Sequence, residues 1–342
     1  MVISNRSRYS SVDDNAYQCA DGGADVESGL SECRNPPPFY AQASDMPGLF
    51  SAADRATTNS SRFFEHSLTG EFQLSENVLS FRSPYQSPYP ANNTAQALWR
   101  PAARRSLGAV ILIPHWGAAP GAYAGLCRLL NWAGISCLEM VAPYHGPRAP
   151  EGCIGGAYAL SSNLLRTVAT ARQATLEIRC CADWLECQGF RAIGLVGTSL
   201  GASYAVLAAA HDTRFSVNIL NHCSGHLPEI VWNAKITRSI RRALEPMMNL
   251  EGLKAVWKAI NPTTYLHRLA LRPSKTLLIY GWFDAIFPRR YSLRTIESWR
   301  ELGMEHQVVT LPCGHRALGI APFSFLDAYC ICSFLKENLN ER

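Results

Sequence analysis

The sequence predicts an α/β fold in which a doubly wound, mostly parallel sheet is covered by helices on both faces. From residue 107 onward, apolar runs of strand length alternate with helical patterns, as expected for parallel strands joined by crossover helices. The chain has 342 residues, of which 47% are hydrophobic, and this is enough for one large core. Charged residues make up only 17%, which argues against a chain that is disordered throughout.

The first sixty residues differ in composition from the rest. They are rich in small and polar residues, contain the triproline Pro36–Pro38 and have no sustained periodicity. We therefore predict a flexible or loosely attached extension over residues 1–60 and an α/β domain over residues 61–342. Short strand-like segments at 77–81 and 95–99, separated by proline-rich turns, predict antiparallel strands at the start of the sheet.

The remaining elements alternate regularly along the chain. The predicted strands are 109–113, 135–141, 193–196, 215–220, 276–280 and 307–310, and the predicted helices are 122–133, 160–188, 201–210 and 322–338. Such alternation indicates a parallel sheet with helices on both faces.

About fifty residues interrupt this alternation between the strands at 215–220 and 276–280. Two segments within them, 236–248 and 250–259, have a helical pattern. The connection is too long for a plain crossover, so we predict a helical insertion over residues 223–270. It is a candidate lid over the carboxyl ends of the strands, and helices packed at the side without a role in access are an equal alternative.

The strongest functional pattern is Gly-Thr-Ser-Leu-Gly at 197–201. It follows the apolar strand 193–196 and opens a helix rich in small residues. A serine on such a tight strand-to-helix turn lifts its oxygen above the sheet, and glycines at both ends prevent crowding. The helix N-terminus that follows offers amide groups to a developing negative charge. This context predicts Ser199 as a nucleophile.

A serine nucleophile needs a base that is oriented by a third group. Asp284 follows the strand 276–280 in Gly-Trp-Phe-Asp-Ala-Ile-Phe-Pro, and His315 follows the strand 307–310 in a Gly-His loop. Because parallel strands place their functional loops at their carboxyl ends, these side chains are expected to meet. The chain order serine, acid, histidine predicts a triad of Ser199, Asp284 and His315. Taken singly, the aspartate could be a turn residue and the histidine a packed loop residue.

At these residues the sequence resembles the α/β-hydrolase superfamily, specifically its serine esterases and dienelactone-hydrolase-like members. The resemblance covers about residues 100–340 and implies an α/β-hydrolase fold with an oxyanion hole made of two backbone amides. One amide would come from Leu200. The other would come from the turn after the first long strand, which reads Pro-His-Trp-Gly at 114–117. Tryptophan stands where glycine is usual, so the implied donor is Trp116, to within one residue.

Two further histidines follow predicted strands near the expected cleft. His145 lies in Pro-Tyr-His-Gly-Pro-Arg, which resembles a loop of some dienelactone-hydrolase-like proteins, and His222 follows the strand 215–220. Both are candidate substrate-binding residues. A structural role, as a packed loop histidine, is the alternative for each.

Other classes of function have little support in the sequence. The net charge is +5 without a Lys/Arg-rich block, which argues against a nucleic-acid partner. We find no apolar run of membrane-spanning length, no secretory signal at the N-terminus and no CxxC pair for a metal. Several of the twelve cysteines lie inside apolar runs, so we expect a soluble, cytoplasmic protein that needs neither metal nor cofactor.

The functional hypothesis is a serine hydrolase that cleaves a carboxylic ester through an acyl-enzyme intermediate. Its expected partner is a small-molecule ester or acyl compound. An acyltransferase or a serine peptidase with the same triad is one alternative, and a non-catalytic binding protein of this fold is another. The pattern leaves the acyl chain length and the oligomeric state open.

Overall fold

A single mixed sheet lies at the centre of the molecule. The structure, a computed structural model, describes residues 36–67, 71–103, 108–153 and 155–339. Within these ranges the strands are β1 Gln73–Ser75, β2 Val78–Arg82, β3 Thr94–Arg100, β4 Gly108–Ile113, β5 Ile135–Val141, β6 Ile193–Thr198, β7 Phe215–Asn221, β8 Lys275–Gly281 and β9 His306–Leu311. Their order across the sheet is β1-β2-β3-β5-β4-β6-β7-β8-β9.

The sheet is mostly parallel. Strands β4 to β9 pair in parallel, and β1 to β3 add antiparallel pairs at one edge. Every residue of β4, β5 and β6 is buried, which explains why β4 and the first four residues of β6 are continuous apolar runs instead of alternating patterns. The predicted fold class is therefore confirmed.

Helices cover both faces of the sheet. In the described residues they are α1 Met46–Thr58, α2 Ser60–Phe63, α3 Ala124–Trp132, α4 Leu164–Cys187, α5 Leu200–His211, α6 Leu227–Asn233, α7 Arg238–Leu244, α8 Leu250–Val256, α9 Leu266–Ala270, α10 Arg289–Glu301 and α11 Phe323–Asn338. Alternate residues of β4 face opposite layers: Ile111 joins the core that contains α4 and α5, and Val110 joins the core that contains α3 and α11.

Helix α1 lies in the range for which the sequence predicted a flexible extension. Its first turn is capped by Asp45, whose carboxylate accepts a hydrogen bond from Gly48 N–H at 2.8 Å. Leu49 and three alanines are buried, and the helix packs against α8. An ordered helix therefore begins before residue 60. Its buried positions are mostly alanines, and these small residues gave no periodic hydrophobic pattern in the sequence. Residues 1–35, the rest of the predicted extension, lie outside the described residues.

Helices α6 to α9 lie between β7 and β8, within the predicted insertion at 223–270. They are shorter than the sequence indicated. The segment predicted as helical over 236–248 forms a 3-10 turn at Lys235–Thr237 and then α7, which ends at Leu244.

Nine cysteines of the described residues are free thiols, and Cys153 is disulfide-bonded. In the part of the chain that is described, no helix combines the length and the apolar character needed to cross a bilayer.

Candidate active site

Ser199 lies on the turn between β6 and α5. Its backbone has φ 56° and ψ −120°, a conformation that costs a residue with a side chain about 1–3 kcal/mol. A Cβ on Gly197 would stand 2.6 Å from Ala202 Cα, and one on Gly201 would clash with the Ile113 carbonyl oxygen. The two glycines therefore let the strained turn pack closely between α5 and β4.

Three side chains at the carboxyl ends of β6, β8 and β9 form a hydrogen-bonded chain. His315 Nε2 lies 2.9 Å from Ser199 Oγ, and His315 Nδ1 lies 2.7 Å from Asp284 Oδ2. With the ring proton on Nδ1, the imidazole donates to the carboxylate, and Nε2 accepts from the serine hydroxyl. The structure thus brings together the three residues that the chain order had indicated.

The loop after β8 holds the carboxylate and the imidazole in place. Asp284 Oδ1 accepts hydrogen bonds from the N–H groups of Ile286 at 2.9 Å and Phe287 at 2.7 Å. The Phe287 ring stacks on the His315 ring, with centroids 5.0 Å apart and planes 12° apart. Ser199 is 6% exposed and Asp284 is 7% exposed, so these hydrogen bonds are largely shielded from water.

The turn after β4 lines the same cavity as the serine. On one side of Trp116, the His115 N–H donates to Tyr123 Oη at 3.2 Å. On the other side, the Gly117 N–H donates to His145 Nε2 at 2.9 Å. The hydrogen bonds of His115 and Gly117 therefore hold the turn on both sides of Trp116.

His145 is buried and is absent from the cavity wall. Its Nδ1 donates to the Pro143 carbonyl oxygen at 2.8 Å, which leaves Nε2 to accept from Gly117. Burial lowers the pKa of His145 to about 4, so the ring is neutral at physiological pH. The substrate-binding role that the sequence indicated does not fit this position, because both ring nitrogens serve the loops around the ring.

His222 is also buried away from the cavity wall. Its ring meets the His315 ring edge to face, with centroids 5.7 Å apart, and its Nδ1 lies 3.0 Å from Asn221 Oδ1. Burial, and then the charge of His315, lowers the pKa of His222 to about 4. His222 does not line the cavity, so its position does not fit the predicted contact with substrate. Its ring packs behind His315, the candidate base.

A cavity of about 710 Å³ opens in front of the serine. Of the predicted site residues, Ser199, Leu200, Trp116 and His315 line it. Most of the remaining wall is apolar, and the insertion contributes Leu227, Ile230, Val231 and Ile236. Such a wall suits an apolar acyl or alkyl group.

Tyr123 and Asp327 are among the polar side chains of this cavity that sequence reasoning did not find. Tyr123 precedes α3, and Asp327 lies on α11. Asp327 Oδ2 accepts a hydrogen bond from Asn221 Nδ2 at 2.8 Å. Neither residue belongs to a motif, and the available signal for Asp327 was a single carboxylate in the first three turns of an apolar helix.

One group of potential metal ligands occurs among the described residues, outside this cavity. The ligand atoms of His66, Cys180 and Asp183 lie within 4.8 Å of one another. Both carboxylate oxygens of Asp183 have partners, His66 Nε2 at 3.0 Å and Arg214 Nη1 at 2.7 Å. The group is therefore part of an ion-pair network, and the charge of Arg214 opposes the binding of a cation there.

Residues 126–270, less than half of the chain, match the family model described as alpha/beta hydrolase domain containing 18. No curated protein was found that matches the sequence.

Solved structures resemble the chain more widely. The uncomplexed acylaminoacyl peptidase of Pyrococcus horikoshii superposes with a TM-score of 0.59 at 15% identity, over 83% of this chain and 44% of that chain. A puromycin-hydrolyzing peptidase of Mycobacterium tuberculosis gives 0.58 at 13% identity, over 77% and 40%. A cold-adapted esterase from an Arctic intertidal metagenomic library gives 0.51 at 17% identity, over 80% and 100%.

The chain spans less than half the length of the peptidases that it resembles. At these identities the likeness concerns the fold alone. Sheet topology, family model and solved structures together identify the chain as a protein of the α/β-hydrolase fold.

Proposed function

We propose that the chain is a serine hydrolase that cleaves carboxylic esters, with Ser199 as nucleophile, His315 as base and Asp284 as the residue that orients His315. One observation carries the proposal: an unbroken hydrogen-bonded path runs from Asp284 through His315 to Ser199, at the wall of a largely apolar cavity. Serine is a weak nucleophile until a neighbouring base can remove its proton, and this path supplies that base.

The reaction would proceed in two steps. His315 Nε2 takes the Ser199 proton as Oγ attacks the ester carbonyl carbon, and it then gives this proton to the departing alcohol. Asp284 keeps the ring in the productive tautomer and stabilises the imidazolium. Water then attacks the acyl-serine carbonyl carbon as His315 Nε2 takes its proton. His315 gives this proton to Ser199 Oγ as the acyl bond breaks, and the carboxylic acid leaves.

Two backbone amides are proposed to hold the oxyanion. Leu200 N–H lies at the first turn of α5, where the helix dipole favours negative charge. Trp116 is the second proposed donor, because the hydrogen bonds of His115 and Gly117 fix the turn on either side of it.

We further propose that the insertion at 223–270 acts as a lid. Its helix α6 and the turn that follows contribute apolar side chains to the cavity wall, which supports a role of the insertion in access to the cavity. A lid of this kind excludes water from the site, which strengthens the electrostatic interactions inside it.

A cytoplasmic location is part of the proposal. The nine free thiols favour a reducing compartment, whereas the disulfide at Cys153 favours an oxidising one. Thiol labelling of the native protein in cells decides between them, since only a reducing compartment leaves Cys153 open to alkylation.

Peptide cleavage and acyl transfer use the same triad and are the rival activities. Peptidases of this fold resemble the chain, which is the reason to include amides in the assay. Product analysis on matched ester and amide substrates, with and without an added alcohol acceptor, separates the three reactions.

A fluorophosphonate probe tests the nucleophile directly. We expect the full chain to be labelled and Ser199→Ala to remain unlabelled. Ester turnover should fall at least about a thousandfold in Ser199→Ala. Ser203→Ala is the matched control, because Ser203 lies on the same helix and its buried hydroxyl has no hydrogen-bond partner among the described residues. Labelling of Ser199→Ala at the native level would contradict the proposal.

A further inference from the structure

Asp327 places a carboxyl group in the wall of a cavity that is otherwise mostly apolar. The side chain lies on α11, and the residue is 9% exposed. Its Oδ2 accepts the Nδ2–H of Asn221 at 2.8 Å. The backbone carbonyl oxygen of Asn221 also accepts a hydrogen bond from the Ser199 N–H at 2.9 Å. Asn221 therefore connects the Asp327 carboxyl group with the backbone of the proposed nucleophile.

The second carboxyl oxygen is not accounted for by the protein. Asp327 Oδ1 is shielded from solvent and has no hydrogen-bond partner among the described residues. In the same part of the chain, the ion pairs include none to Asp327. Buried carboxylates are normally paired, because an unpaired one loses its hydration without compensation.

Among the described residues, the other buried carboxyl groups each have an ion-pair partner, although Glu229 Oε2, like Asp327 Oδ1, has no hydrogen-bond partner. Glu177 pairs with Arg148 at 2.6 Å, and Asp212 pairs with Arg214 at 2.6 Å. Asp327 is the exception among the buried carboxyl groups of the described residues, because it has no ion-pair partner there, and it lies in the cavity wall. A ligand group is the natural partner for such an oxygen, since buried polar atoms without partners are costly and call for an explanation.

We propose that Asp327 is a specificity-determining residue that pairs with a cationic group of the ammonium class on the substrate. This inference deepens the proposed function. It rests on the proposed function in one respect, because it treats this cavity as the substrate site. The apolar wall would hold the carbon chain of the substrate, and the carboxylate would supply the one buried negative charge that meets the ammonium group.

Burial raises the pKa of Asp327 to about 7, and the hydrogen bond from Asn221 opposes this rise. Other titratable groups face it from its own helix and from the segments packed against α11. These titratable groups are Tyr123, Arg128, Cys313, His315, Arg316 and Cys330. Burial raises the pKa of Tyr123 to about 12 and also raises those of Cys313 and Cys330, so these three stay neutral between pH 6 and 8.

The two arginines are exposed and line the same cavity, and they favour an anionic ligand instead. A binding experiment that does not need turnover decides between the two charges. Hexylammonium, 1-hexanol and hexanoate are titrated by calorimetry into Ser199→Ala and into the double variant with Asp327→Asn.

We expect Ser199→Ala to bind hexylammonium at least about tenfold more tightly than either other ligand at pH 8. This preference should fade toward pH 6, as the carboxyl takes up a proton, and it should be lost with Asp327→Asn. Preference for hexanoate, or a preference for hexylammonium that survives Asp327→Asn, overturns the inference whether or not the protein is an esterase.

Kinetics on the full chain give the second test. One pair of esters, ethyl 6-aminohexanoate and ethyl heptanoate, varies the charge on the acyl side. Another pair, hexanoylcholine and 3,3-dimethylbutyl hexanoate, varies it on the alcohol side. Taking the ratio of kcat/KM within each pair cancels the pH dependence of the catalytic steps that both esters share.

We expect at least one pair to favour the cation by about tenfold and Asp327→Asn to abolish that ratio. Glu337→Gln removes an exposed carboxylate from the same helix and should leave the ratio unchanged. Ester turnover that depends on Ser199 but has no charge preference in either pair overturns the inference and leaves the proposed function standing. Absence of turnover counts against the proposed function, and the binding experiment then decides the inference.

Discussion

His145 is a buried residue outside the cavity that connects two loops beside the candidate active site. The ring donates from Nδ1 to Pro143 and accepts at Nε2 from Gly117, so it ties the loop after β5 to the turn after β4. Gly156 packs against the same ring so closely that a Cβ there would overlap it. The position of the proposed oxyanion donor therefore depends on a histidine outside the cavity.

Loss of this histidine should slow catalysis more than it weakens binding. We expect His145→Ala to lower kcat by about 10- to 100-fold with a smaller change in KM, because a displaced oxyanion donor acts mainly on the transition state. His145→Gln, whose side-chain oxygen can still accept from Gly117, should recover part of the loss. Steady-state kinetics on a short ester measure both variants.

His211→Gln is the control for this pair. His211 is also buried, but it lies at the far end of α5, where its Nδ1 donates to the Leu207 carbonyl oxygen at 2.8 Å. An equal fall of kcat in His145→Ala and His211→Gln would indicate general destabilisation, and the positioning role of His145 would be lost.

At the scale of elements, the parallel strands and their crossover helices were the most predictable part of this fold. Strand β4 and strand β6 are buried on both faces, so each one had to be a short continuous apolar run. The helix α10 was missed because it is strongly polar on one side and follows a loop whose apolar residues belong to the site.

Substitutions in helix α1 test whether the folded domain begins before residue 60. We expect Leu49→Ala to lower the free energy of unfolding by about 2–4 kcal/mol, because Leu49 is buried in the main core beside α8. Thr58→Ala, an exposed change on the same helix, should stay within about 0.5 kcal/mol. Urea unfolding measures both, and a negligible effect of Leu49→Ala would restore the flexible extension up to residue 60.

At the scale of the whole molecule, four histidines are buried in a neutral state. Burial lowers the pKa of His145, His222 and His226 to about 4 and that of His211 to about 3, against about 6.5 in an unfolded chain. Between these values the unfolded chain binds protons that the folded chain does not. Their contribution to stability is complete above pH 6.5 and is lost as the pH falls toward 4.

Asp327 has the opposite effect on the pH dependence of stability. Its folded pKa of about 7 lies above the ordinary value near 3.9, so over the same window it binds a proton in the folded state and offsets one histidine. We expect the free energy of unfolding to fall by at least about 1.4 kcal/mol per pH unit from pH 6.5 to 5. Urea unfolding at pH 7, 6 and 5 measures this slope.

Single variants should change that slope in opposite senses. His211→Gln should make it shallower by about 1.4 kcal/mol per pH unit, and Asp327→Asn should make it steeper by a similar amount. A stability that is constant over this range would show that the buried histidines titrate as they do in the unfolded chain.

By itself the sequence determined the sheet, most of its helices and the three residues of the proposed triad. It could do so because these features are local: an apolar run, a glycine-flanked serine, and an acid and a histidine each just after a strand. Only the tertiary structure decided which histidines reach the cavity, how the 114–117 turn is held by Tyr123 and His145, and that Asp327 lines the cavity. Those properties depend on which side chains from distant segments meet, and no spacing along the chain specifies them.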